Sequence, residues 1–403
     1  MVAGGDFFHD PMWASLAKIA ILRNYLTPFA YKLGSKPPGR VWLVDGFAGA
    51  GCYEPDENGK SQDGSPLASA KVARDLEIKG ARQQLRTINV ESDRDTFVRL
   101  IGNLAPYQHL CLNIPKTFED ALDEILKTIR NDPALFFLDP FGVNGIEMDL
   151  LDRIRERAGK TELLIHFSDR SVLRMAGNLD DNEQRKEVGQ KAADAKVLKL
   201  NDVIGTHWWQ GAWSNKSSTT NERIDAIAEL YANQLRSRGF NFVHEIRMRD
   251  EYPDRPKYRL VFATRSPHGV ELMSTFACEY ERQLHDRHYE GSFELEWEKE
   301  RRAARLAQLQ GEIHALGVSR GAMTQQEILH ELAPLHFGEF LTTEYHREIR
   351  KMVDTGGIDR PSHTGIKNRE RLTFVEKPQQ TLFGEESPHA RITGLRNRGG
   401  KWR

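Results

Sequence analysis

Five short apolar runs, VWLV at 41–44, TINV at 87–90, HLCL at 109–112, LFFL at 135–138 and ELLIHF at 162–167, are separated by longer segments of helical spacing. A run that is apolar throughout has no face to give to water, so such strands are covered on both sides. Alternated with helices, they build a mostly parallel sheet with helices on both faces, a doubly wound α/β domain. Two later stretches, FNFVHEIRMRD at 240–250 and KYRLVFATR at 257–265, also read as strands, but only EYPDRP joins them. That link is too short for a helical crossover, so the two pair antiparallel.

A parallel sheet closed by an antiparallel hairpin is the Rossmann-like pattern of methyltransferases that use S-adenosylmethionine. Dinucleotide dehydrogenases usually stay parallel to the edge. The remaining chain divides around this sheet. Residues 1–39 form an N-terminal segment whose Trp13, Leu16, Ala17, Ala20, Ile21 and Tyr25 have the spacing of an amphipathic helix. The α/β domain is expected over 40–290, with an insertion at about 169–218 that holds HWWQGAW; its Trp208, Trp209 and Trp213 read as packing residues. A charged connecting helix is expected at 291–316, a helix, helix, two-stranded wing pattern at 317–376, and a basic, Pro- and Gly-rich tail at 377–403.

Lys plus Arg number 57 against 58 Asp plus Glu, so only local clusters can speak for a polyanionic partner. Cys52, Cys111 and Cys278 lie far apart, which argues against a zinc site or a disulfide scaffold. His285, Asp286 and His288 lack a third ligand and are expected at the surface, with no metal. No stretch approaches the roughly 18 apolar residues of a membrane span, and the N-terminus has no signal-peptide pattern. A cytoplasmic protein is expected.

Chemistry is expected at three successive strand ends. The first is Asp45-Gly46-Phe47-Ala48-Gly49-Ala50-Gly51, where glycines let the backbone turn sharply and pass close under a ligand. An ordinary tight turn would use the same residues. A dinucleotide site would open a helix at the third glycine, whereas Gly51 runs into CYEPDENGKSQDGSP, so a nicotinamide oxidoreductase is the weakest reading. The second end is Glu91, a carboxylate able to accept two hydrogen bonds from vicinal ribose hydroxyls. Glu119 and Asp120 after the third strand could meet an adenine amino group. The third end is FFLDPFG, in which Asp139, the Pro140 carbonyl and a stacking Phe141 would orient an exocyclic amine. Asp-Pro is also a common turn.

These stretches, with Phe7-Phe8, WASLAKIAILRNYL, DGSPLASA at 63–70 and YRLVFATRSPHGVELM at 258–273, resemble the three-Cys-motif partner protein family over most of 7–375. The resemblance implies a methyltransferase-like fold and a three-Cys-motif partner resembling radical S-adenosylmethionine enzymes. It further implies that Asp45, Gly46, Gly49 and Gly51 hold the methionine part of S-adenosylmethionine and Glu91 its ribose, with Asp139, Pro140 and Phe141 facing the acceptor. Asp-Pro-Phe-Gly is also similar to the motif of tRNA guanine-N2 methyltransferases. The second Pro of the DNA adenine and cytosine enzymes is missing here, which leaves a non-catalytic, regulatory subunit as the alternative.

In the C-terminal half, Arg347, Arg350 and Lys351 share a helical face, and Arg360, Lys367 and Arg369 follow in the wing. Such clustering suits phosphate contact, so DNA or RNA is an expected partner. Winged helices also dock proteins.

Overall fold

In the computed structural model the described residues are 13–33, 39–55, 58–59, 61–140, 145–180, 189–251, 255–289, 294–359 and 370–375. They divide into two units. One runs to His288 and includes Phe337–Glu339; the other takes the rest from Tyr289.

The first unit follows its strands and helices in regular alternation: α1 (Trp13–Leu33), β1 (Gly39–Asp45), α2 (Ser65–Ile78), β2 (Gln83–Val90), α3 (Arg94–Leu104), β3 (Cys111–Ile114), α4 (Phe118–Ile129), β4 (Ala134–Leu138), α5 (Met148–Glu156) and β5 (Thr161–Phe167). Then come α6 (Asp169–Ala176), α7 (Gln190–Ile204), α8 (Trp209–Ser214), α9 (Thr220–Ser237), β6 (Phe242–Met248), β7 (Tyr258–Thr264) and α10 (Pro267–Tyr289). The strand order is β3-β2-β1-β4-β5-β7-β6. β1 to β5 pair parallel, and β7 pairs antiparallel with both β5 and β6. This is the expected mostly parallel, Rossmann-like sheet of methyltransferase type.

The two-residue period of a strand sorts each buried run between two helical layers. Ala134, Phe136 and Leu138 of β4 face the layer of α4 to α9, while Leu135 and Phe137 face α1, α2 and α10. The polar-free strand runs are thereby explained, because neither face meets water. The stretch 169–218 supplies α6, α7 and α8 to the first of these layers. Trp209 and Trp213 are buried there with Leu200 and Val203, and Trp208 is 65% exposed.

The third strand sits two residues later than HLCL suggests. Leu110 N donates to Tyr107 O at 2.8 Å, closing a turn before the strand, so buried Leu110 packs a corner and pairing starts at Cys111. β3 is the sheet edge, and Leu112 there is 37% exposed. Of the expected α1 stripe, Ala17, Ile21 and Tyr25 are buried and Trp13, Leu16 and Ala20 half-buried; Ala14 and Lys18 join the buried side, a lysine among apolar neighbours.

The second unit holds α11 (Glu294–Arg320), which runs past the expected limit of 316, then α12 (Gln325–Leu332), α13 (Thr342–Asp354), β8 (Ile358–Asp359) and β9 (Thr373–Phe374). Thr324 and Glu327 form a reciprocal capping box on α12. The N-cap position of α13 is Leu341, whose N–H donates to Glu344 Oε2 at 3.0 Å. Glu344 reaching back supplies one half of a capping box, and a leucine side chain cannot supply the other. β8 and β9 pair antiparallel, Ile358 opposite Phe374, over a core of Leu309, Ile313, Ile328, Tyr345, Ile349 and Leu372. Among the described residues no helix is long and apolar enough to cross a membrane.

Candidate active site at the carboxyl ends of the strands

The sheet winds outward in both directions from β1 and β4, so a crevice is expected where their carboxyl ends diverge. A cleft of about 370 Å³ lies there, lined from four strand ends: Gly46 and Phe47 after β1, Glu91 after β2, Thr117 to Glu119 after β3, and Pro140 after β4. Ile146, Leu150 and Lys199 complete its far wall.

The glycine loop is strapped down at each step. Gly46 N donates to Phe137 O at 3.0 Å, Ala48 N to Val90 O at 2.9 Å, and Gly49 N to Glu91 Oε2 at 3.0 Å. Gly49 and Gly51 have φ of 60° and 87°, a region that disfavours side chains. At Gly46 the constraint is space, since a Cβ would stand 2.8 Å from Leu138 Cδ2 and 2.9 Å from Phe118 Cδ2. Both neighbours are buried. Gly46→Val is therefore expected to distort the cleft and cost about 1–3 kcal/mol, as overpacked cores do. Gly211→Ala, in α8 with nothing near its Cβ, is the matched control, expected to be neutral or slightly stabilising in urea unfolding.

Glu91 is held by two backbone amides, Gly49 N on Oε2 and Asp93 N on Oε1 at 2.7 Å. A carboxylate offers about four acceptor positions, so Glu91 is oriented and keeps capacity for a ligand. Glu119 lines the cleft from the first turn of α4, where an acid also suits the helix N-terminus. Asp120 faces Thr117, which caps α4. α2 begins only at Ser65, so no helix opens at Gly51 to receive a pyrophosphate.

Asp45, Gly49, Gly51 and Asp139 do not line the cleft. Asp45 is fully buried behind the loop, where Oδ1 accepts from Phe47 N at 3.2 Å. Burial pushes its carboxyl up to about 7, against the pull of the Ser65 hydroxyl and the Phe47 amide, with Asp139 pushing further and Lys18 opposing. Pro140 borders the cleft and also a smaller cavity shared with His166. Phe141 lies outside the described residues, as do Arg360, Lys367 and Arg369.

Around Asp139 the structure assembles groups that the motifs did not announce. Lys18, from α1, forms an ion pair with Asp139 Oδ2. His166 Nδ1 is 3.8 Å from Asp139 Oδ1, and its ring lies 4.3 Å from that of Tyr258. Strand register explains the neighbourhood: β4 and β5 end paired at Leu138 and Ile165, so Asp139 and His166 emerge side by side. Burial, reinforced by Lys18 and opposed by Asp139, pushes His166 down to about 4, so it is neutral at physiological pH. Tyr53 is pushed up to about 12 by burial and by Asp139. A lysine at a buried helical position and a histidine ending a strand beside Asp-Pro were the available signals.

On α13, the expected basic face is partly neutralised within itself. Arg347 Nε and Lys351 Nζ each lie 3.0 Å from Glu348 Oε1. Glu348 is buried, which works upward, but hydrogen bonds from Lys351, Gln310 and Arg347 hold its carboxyl below the usual range. Arg350 is exposed.

No family model and no curated relative matches the chain. Among solved structures, a Legionella pneumophila protein matches at 11% identity over 66% of this chain and 91% of its own, with a TM-score of 0.37. A fibrillarin/Nop5p complex matches at 11% over 65% and 89%, TM-score 0.31. A plantazolicin methyltransferase solved with S-adenosylhomocysteine matches at 10% over 62% and 86%, TM-score 0.27. Superpositions this loose place no residue of this chain, and the fold rests on the strand order itself.

Proposed function

We propose that the cleft binds S-adenosylmethionine and that the protein transfers a methyl group to an exocyclic amino group of a nucleobase. The observation that carries this reading is the convergence of Gly46, Glu91 and Pro140, from three separate motifs, on one cleft at the switch point of the sheet. The site fits the cofactor: Gly46 has room for no side chain, and Glu91 is oriented with acceptor capacity left. Glu91 would hold the ribose hydroxyls, Phe118 and Ile146 would flank the adenine, and Glu119 would meet its amino group. The loop backbone at Gly46 and Phe47 would hold the methionine part, with Asp45 behind it.

Bound there, S-adenosylmethionine supplies an electrophilic methyl group on a sulfonium. Asp139 and the Pro140 carbonyl would accept the amine hydrogens, which turns the nitrogen lone pair toward the cleft. Asp139 would then take the proton that the nitrogen sheds. Most of the rate comes from placement.

Calorimetric titration with S-adenosylmethionine and S-adenosylhomocysteine tests the premise. Micromolar binding is expected, weakened by about tenfold or more in Glu91→Ala, the scale of a lost charge-assisted hydrogen bond. Failure of the unaltered protein to bind either ligand would overturn the reading.

In the second unit, α12, α13 and the β8–β9 ladder would form a winged helix that presents Arg350, with Arg347 and Lys351, to nucleic-acid phosphates. A second reading, a non-catalytic subunit of a three-Cys-motif radical enzyme, is favoured by the engagement of Asp139 with Lys18. A stable complex with such a partner, together with no methyl incorporation into any nucleic acid, would select it.

A further inference from the structure

The pair that Lys18 makes with Asp139 is itself a recognition element. Its side chains are 9% and 19% exposed, and Pro140, the next residue, borders the cleft. An ammonium has three N–H donors and a carboxylate about four acceptor positions, so one direct contact leaves each with capacity. Asp139 Oδ1 is separated from His166 Nδ1 by 3.8 Å, beyond hydrogen-bond reach. Lys18 is held in place from the other side: its Nζ lies 5.4 Å from the Tyr258 ring centre, and the Tyr258 hydroxyl donates to Ala14 O at 2.8 Å, one turn earlier on α1.

The result is a fixed donor beside a fixed acceptor, one residue from Pro140 on the cleft wall. Its chemical complement is an amino group one carbon away from a ring nitrogen with a free lone pair. Adenine (N6 with N1), cytosine (N4 with N3) and guanine (N2 with N3) carry that edge; an aliphatic amine or a hydroxyl does not. We infer that Lys18 is a specificity residue that donates a hydrogen bond to the ring nitrogen next to the methylated amine, while Asp139 accepts from the amine itself. This rests on the methyltransferase reading above.

The test loads the protein with S-adenosylhomocysteine, so that nucleosides cannot enter the cofactor cleft, and titrates six probes by NMR. These are 2′-deoxycytidine, 2′-deoxyadenosine and 2′-deoxyguanosine, with their 3-deaza, 1-deaza and 3-deaza analogues respectively, which keep the amine but replace the ring nitrogen by C–H. At least one parent nucleoside is expected to bind, with its deaza analogue weaker by about tenfold, the scale of one hydrogen bond to a charged donor. Lys18→Met should weaken the parent and erase the difference. A merely structural Lys18 would weaken both probes alike. Equal binding of parent and analogue, a difference that survives in Lys18→Met, or no nucleoside binding to the loaded protein would overturn the inference. The deaza comparison needs no variant, so it stands even where Lys18→Met folds poorly. If S-adenosylhomocysteine itself does not bind, the methyltransferase reading fails and takes this inference with it; if nucleosides bind without discrimination, only the role of Lys18 fails.

Discussion

Asp139→Ala is expected to lower methyl incorporation into nucleic acid by at least about a thousandfold, while S-adenosylhomocysteine affinity stays within a few-fold. The two effects separate because Asp139 does not line the cofactor cleft, although its neighbour Pro140 does. Loss of the carboxylate removes the acceptor that aims the amine, and with it the alignment on which the rate depends. It also strands Lys18, whose side chain is 9% exposed and would keep a charge with no counter-ion. Some loss of stability must therefore accompany the variant. Lys18→Met combined with Asp139→Ala should recover that stability but not the activity. Tritiated-methyl incorporation beside urea unfolding of the unaltered protein and the two variants reads both effects. Transfer retained in Asp139→Ala would remove the assigned role, and activity recovered with stability would reduce Asp139 to a structural residue.

The fold was legible because it rests on a pattern that few alternatives share. Buried runs such as LFFL, placed between helical segments, admit only a sheet covered on both faces, and the short EYPDRP link forces the last pairing to be antiparallel. The cleft was legible where single residues stand at strand ends: Gly46, Glu91 and Pro140 are on its walls because the chain leaves each strand there. Legibility fails where function depends on residues from distant parts of the chain. Lys18 and Asp139 are 121 positions apart, and α1 looked like a plain amphipathic helix. Charge patterns mislead for a related reason. Arg347 and Lys351 share a helical face, yet Glu348 on the same helix engages both, and helical spacing does not show which partner a flexible cation takes.

Glu162→Gln is expected to stabilise the protein at pH 8 by about 1–3 kcal/mol and to leave it nearly unchanged at pH 4.5. Glu162 is the second residue of β5, toward the opposite end of the strand from His166, and is buried. Burial pushes its carboxyl from 4.5 up to about 7, against hydrogen bonds from Tyr25 Oη at 2.5 Å and Thr264 Oγ1 at 3.0 Å. The folded state thus holds this proton more tightly than the unfolded chain does. Its contribution to stability is complete below about 4.5, falls as pH rises, and is gone above about 7, where a buried carboxylate must stay ionised. A glutamine amide can still accept from Tyr25 and can donate to Thr264, so the packing is kept and only the titration is removed. Urea unfolding of both proteins across pH 4.5 to 8 should show curves that diverge as pH rises; parallel curves would mean that Glu162 ionises normally. Tyr25 makes the result bear on the site, because it lies on α1 two turns beyond Lys18. The helix that brings a cation to Asp139 at the carboxyl ends of the strands is also anchored on a carboxylate at their amino ends. In the folded protein that anchor gains its charge around pH 7, so a drift in the affinity of Lys18-dependent probes between about pH 6 and 8, absent in Glu162→Gln, would show that the two ends of α1 are coupled.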